Sequence, residues 1–267
     1  MILVEIRVKL FADDVKLYVQ ILDDTDMQRL QLAVDALVCW AEEWQLSISV
    51  NKRCILHVGK IVCKTDVCIS ANSLPVVDVT RDLGVTVASD LSPSVHATNT
   101  VAKTHKRAAA ILRAFTFRDR KLLLRAFLVY VRAVVECNSI IWSPSTIRDI
   151  DAVESVQRHF TKQLPGLSHL PYSERLKCLS TPSLELRRLH TDLFWCYKIV
   201  AVLLISNVMS FFVYSPCVNT CGHKFKLYKH HSPAGVRTNF FSERVYNISN
   251  CLPEGVGNGF VKGRDKG

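Results

Sequence analysis

Two adjacent aspartates, Asp13 and Asp14, stand in the stretch KLFADDVKLY at residues 9–18. Like charges side by side repel, and the pair calls for a compensating cation. Mg2+ suits it: a hard, oxygen-seeking ion, commonly held by one or two carboxylates together with substrate phosphates. Two such ions ~3.5–4 Å apart activate an attacking hydroxyl and stabilise a leaving pyrophosphate, which is polymerase chemistry. Aspartate is also a frequent turn residue, so the pair has a plainer reading too.

The flanking residues bear on that choice. Val4-Glu5-Ile6-Arg7-Val8-Lys9-Leu10 alternates apolar and charged, and Val15-Lys16-Leu17-Tyr18-Val19 resumes the alternation. The two runs predict half-buried strands in a hairpin, with Ala12, Asp13 and Asp14 at or near its turn. Thr25-Asp26-Met27-Gln28 fits a capping box, and Leu30, Val34, Leu37, Ala41 and Trp44 follow at helical spacing. Strand-like runs come next at 46–50, 55–58 and 82–87, so residues 1–90 read as a helix packed on a small antiparallel sheet.

The remainder reads as almost wholly helical, giving an α+β chain. Ser92-Pro93 has helix-start chemistry, and Val95, Val101, Ala108, Leu112 and Phe115 form an apolar face. A second helix begins near Asp119 with Leu123, Phe127, Tyr130 and Val134 inside. Ile147, Ile150, Val153, Phe160 and Leu164 mark a third, and a long one follows Pro182. The tail after Gly255 is glycine-rich and expected to be loose.

Charge is divided along the chain. The net of +10 is the sum of a head, 1–50, with four Lys or Arg against nine Asp or Glu, and a body with thirty against fifteen. An acidic head and a basic body fit a polyanionic partner, or simply a basic surface. Arg118, Lys121, Arg125 and Arg132 fall within about 60° of one helix face at ~100° per residue. Lys103, Lys106, Arg107 and Arg113 make a looser basic face on the preceding helix. Such faces suit the phosphates of a duplex; a solvated helix face is the plain alternative.

Ten cysteines lie scattered through apolar segments with no signal peptide before them, and they read as reduced, mostly buried thiols of an intracellular protein. The apolar run at 199–214, IVAVLLISNVMSFFVY, is shorter than the ~20 residues of a spanning helix and is expected to be a core helix, leaving no membrane partner. Cys217, Cys221 and His223 match no strong zinc-finger spacing.

Phe11-Ala12-Asp13-Asp14 resembles the palm motif of non-LTR (LINE-type, jockey-like) retrotransposon reverse transcriptases. Trp40-Ala41-Glu42-Glu43-Trp44-Gln45-Leu46 followed by Lys52 is similar to the next palm motif, and Asp82-Leu83-Gly84-Val85 to the strand before the thumb. Tyr130-Val131-Arg132, Trp142-Ser143-Pro144, Leu164-Pro165-Gly166-Leu167, Tyr172-Ser173-Glu174-Arg175-Leu176 and Leu184-Glu185-Leu186-Arg187-Arg188-Leu189 resemble the long helical region beyond it. Phe240-Phe241-Ser242-Glu243-Arg244-Val245 resembles the end of such proteins.

The resemblance implies the end of a polymerase palm over 1–90, a helical thumb over 91–165 and a C-terminal region over 166–267. It implies Asp13 and Asp14 as Mg2+ ligands and Lys52 near the leaving pyrophosphate. An RNA template and DNA primer duplex would lie on the thumb, with dNTP as substrate of the intact enzyme, in cytoplasm and nucleus. The family's fingers, third carboxylate and endonuclease precede this stretch, so the resemblance implies a truncated transposable-element fragment, inactive alone. Ser49 stands where the family commonly has Asn, and Ser249-Asn250 where it has Trp-Asn. A non-catalytic nucleic-acid-binding module and a non-functional pseudogene product are the alternatives.

Overall fold

The computed structural model describes residues 6–59, 66–69, 72–203, 212–213, 215, 226–229 and 235–252. The chain is mixed α and β and divides into two compact units, residues 1–91 and 92–267.

In the first unit β1 (Arg7–Phe11) and β2 (Asp14–Tyr18) pair antiparallel, with Leu10 opposite Val15 and Phe11 opposite Asp14. That register leaves Ala12 and Asp13 for the turn. Ala12 takes a left-handed φ of 52°, which matches a tight turn to the twist of its strands. Helix α1 (Asp24–Glu43) starts earlier than its sequence signal. Asp23 accepts from the N–H groups of Thr25 and Asp26, and the Asp26 carboxylate accepts from the N–H of Asp23. The capping box is thus built from two aspartates, and their charge also suits the helix N-terminus. The Thr25 hydroxyl bond, first among its causes, holds the Asp23 carboxyl below its ordinary value. Met27 and Val34 of α1 then pack against Val67 and Ile69.

Residues 46–50, expected as a strand, lead instead into a short 3-10 turn at Val50–Lys52. Four short strands follow: β3 (Ile55–Leu56), β4 (Cys68–Ile69), β5 (Asn72–Ser73) and β6 (Val76–Val77). β3 pairs parallel with β6, and β4 antiparallel with β5. The run at 82–87 is folded in half. β7 (Val79–Asp82) and β8 (Val85–Ala88) form a hairpin whose loop residues, Leu83 and Gly84, have φ of 44° and 86°, the type I′ pattern. A Cβ at Gly84 would meet nothing within 4 Å, so Gly84→Ala carries a backbone cost only. About 1–2 kcal/mol of destabilisation is expected, read as a lower urea midpoint at unchanged slope.

In the second unit α2 (Ser94–Ala114) is preceded by Ser92, whose Oγ accepts from the Ser94 N–H at 3.3 Å. α3 (Arg120–Phe127) is capped by the Asp119 carboxylate, which accepts from the Leu122 N–H at 2.7 Å. The chain then makes a π-helical turn over Leu128–Arg132 before α4 (Ala133–Glu136). A π turn holds an extra residue and slips the side-chain phase. Leu123 and Phe127 are fully buried as their spacing requires. The next inward positions are Val131 and Val135 in place of Tyr130 and Val134, and Tyr130 is 61% exposed. Then follow α5 (Ser139–Trp142), α6 (Ile147–Lys162), α7 (Tyr172–Cys178), α8 (Leu184–Leu203) and α9 (Phe241–Asn250). Phe127 stacks on Phe160 with centroids 4.5 Å apart at the centre of the core.

The thiols depart from expectation. Among the described cysteines Cys196 is buried and Cys68 half-buried, while Cys39, Cys54, Cys137, Cys178 and Cys251 are exposed. Apolar neighbours in sequence do not set which face of a helix a residue takes. No helix among the described residues is long and apolar enough to cross a membrane. Residues 199–203 finish α8; 204–211, like Cys217, Cys221 and His223, lie outside the described residues.

Candidate functional site

Asp13 and Asp14 sit at the hairpin tip, both exposed, and neither forms an ion pair with a described residue. Two solvent-facing carboxylates, unpaired among the described residues, could form one side of a divalent-cation site. Among the described residues no group of three His, Cys, Asp or Glu comes together around them or elsewhere. Lys52 closes the 3-10 turn, exposed, and no hydrogen bond or ion pair joins it to either aspartate.

The strands that carry the aspartates are less covered than their alternation predicts. Every residue of β1 is exposed, with Val8 at 50% and Leu10 at 68%. On β2, Leu17 packs against the α1 core and Lys16 pairs with Asp82. These two contacts anchor the ribbon through β2.

The basic residues are more telling. From residue 91 to 135 the chain carries nine Lys or Arg and a single carboxylate, Asp119, which is committed to capping α3. None of Lys103, Lys106, Arg107, Arg113, Lys121 and Arg125 forms an ion pair with a described residue. Lys103, Lys106, Arg107 and Arg113 all face solvent from α2, and Lys121 and Arg125 do so from α3. Arg118 is exposed in the loop just before α3, so it lies beside that helix face instead of on it. Arg107 reaches across, its Nη1 donating to the Tyr130 carbonyl at 3.2 Å.

Arg132 does not join this face. The π turn carries it to Glu136 at 3.6 Å, where it is 19% exposed. Arg187 forms the shorter pair with the same carboxylate, and its second nitrogen, Nη2, donates to Glu136 Oε2 at 2.9 Å. Burial, then the Arg187 charge, lowers the Arg132 guanidinium, while the Glu136 hydrogen bond raises Arg187. Arg132 is a structural tie.

Several other motif residues also hold the fold. Trp142 is 1% exposed; its indole N–H donates to the Cys137 carbonyl at 2.8 Å and its ring lies 4.8 Å from that of His96. Arg244 forks onto Asp192 with two bonds of 2.8 Å. Sequence reasoning missed Glu154, which is buried in α6. Its carboxylate accepts from the Tyr172 hydroxyl and from the Leu184 and Glu185 N–H groups, both at 3.2 Å, and so caps α8 from 30 residues away. Burial first, then the Glu154 bond, pushes the Tyr172 phenol up, so it keeps its proton and donates. The available signal was a carboxylate adjoining the inward positions Val153 and Gln157.

No protein-family model matches the sequence, and no curated protein or solved structure matches the chain.

Proposed function

We propose that this chain is the palm-end and thumb part of a non-LTR retrotransposon reverse transcriptase, and that it holds a template–primer duplex on the outer faces of α2 and α3. The observation that carries the reading is the basic surface: seven exposed cations on two contacting helices, with one carboxylate across 91–135. Lys and Arg in that setting neutralise phosphates and release counterions. The FADD hairpin tip and the ordered series of similar motifs support the polymerase half of the proposal.

Asp13 and Asp14 would hold Mg2+ in the intact enzyme, where the ion neutralises and orients nucleotide phosphates. Their part in this chain is to present, at a short turn, two carboxylates that are exposed and unpaired among the described residues. Lys52 would stand on the side of the leaving pyrophosphate. The resemblance places the fingers and third carboxylate outside this stretch, so the chain alone is expected to bind a primed RNA template without extending it. Primer extension with Mg2+ or Mn2+ checks this. Incorporation of dNTP that disappears in Asp13→Ala would show a complete active site and overturn the expectation.

A further inference from the structure

Cations alone do not account for the surface of α3. Interleaved with its basic residues are large apolar side chains open to solvent: Phe117 at 75%, Tyr130 at 61%, Val129 at 56% and Leu122 at 41% exposure. Lys121, Leu122, Arg125 and Val129 fall within about 100° of one helix face at ~100° per residue. Phe117 precedes that face beside Arg118, and Tyr130 follows it where the π turn displaces the ring from the core. The Arg107 bond to the Tyr130 carbonyl fixes this end against α2. The result is a ridge with a ring at each end and cations between.

A grip on duplex phosphates has no use for the rings, because paired bases are already stacked on one another. Unpaired bases present free π faces, and aromatic side chains beside a cationic track are how proteins hold single strands. We propose that the α3 ridge takes the single-stranded stretch of nucleic acid, with Phe117 and Tyr130 as platforms on which unpaired bases stack. The occupant follows from charge complementarity, eight exposed cations to one carboxylate over 91–135 with Arg132 tied to Glu136, together with the exposed rings. The inference rests on reading α2 and α3 as a nucleic-acid interface, and it names the part of the nucleic acid that the interface reads.

The test is fluorescence anisotropy with the full chain, using a ~20-nucleotide oligo(U) and a blunt duplex of equal length. Phe117→Ala and Tyr130→Ala are each expected to weaken oligo(U) binding by roughly 5- to 150-fold. Duplex affinity and the salt slope should stay as in the wild type, since no cation is removed. Tyr130→Phe, which keeps the ring, should retain the affinity. Both rings are exposed, so thermal unfolding should not move. If the alanine variants bind oligo(U) as the wild type does, or lose duplex binding equally, the stacking proposal fails. Salt-dependent binding by the wild type would then leave the interface itself standing. Absence of binding to either probe would sink both.

Discussion

Reversing Arg118, Lys121 and Arg125 to Glu is expected to cut affinity for a template–primer duplex by roughly two to three orders of magnitude at ~0.1 M salt. Each phosphate contact contributes about 0.9 to the slope of log K against log salt, so three lost contacts remove about 2.7. Repulsion from the introduced carboxylates adds to the loss. The three side chains are exposed and unpaired among the described residues, so the variant should melt with the wild type. Arg132 is left out deliberately. Its substitution would break the Glu136 tie and confuse binding with folding. Duplex affinity unchanged by the triple reversal would move the interface elsewhere.

Glu154→Ala is expected to cost the second unit about 3–5 kcal/mol, the range for stranding the partners of a buried charge. For a unit of this size that is a fall in Tm of roughly 6–20 °C. The substitution orphans the Leu184 and Glu185 N–H groups and the Tyr172 hydroxyl together. It also removes a negative neighbour from Arg188, which is 5% exposed and already has an Nη1 without an acceptor. Tyr172→Phe removes one of the three bonds, and a loss of about 1.5–3 kcal/mol is expected for a bond to a charged acceptor. The Tyr172 phenol is raised above its ordinary value. Its contribution is therefore complete below pH ~10 and is lost only as stronger alkali ionises it. A Glu154→Ala melt within 2–3 °C of wild type would show that solvent replaces the cap.

Much of this was legible in the sequence, and the misses share a cause. The α1, α2, α3 and α6 helices follow from apolar spacing and from caps such as Asp119, because those signals are local. What failed was phase. The inward series Leu123, Phe127, Tyr130, Val134 is sound for an unbroken α-helix, but the π turn at Leu128–Arg132 moves it to Val131 and Val135. The same slip takes Arg132 from the basic face and puts Tyr130 on the surface. At residues 82–87 the alternation read as one strand, although Gly84 marked the fold-back between Asp82 and Val85. The hairpin of Asp13 and Asp14 was legible in register and turn, yet its burial was not, since alternation reports the pattern of a strand and not what covers it. Glu154 went unseen because its partners, Tyr172, Leu184 and Glu185, are remote in sequence.

The central claim is that the α2 and α3 surface holds nucleic acid through its cations, and the salt dependence of wild-type binding tests it most directly. A primed RNA template titrated with the full chain from ~50 to ~300 mM salt should give a straight line of log K against log salt, with a slope of about −3 or steeper for at least four phosphate contacts. Binding that is absent at ~50 mM salt, or indifferent to salt across that range, would contradict the account.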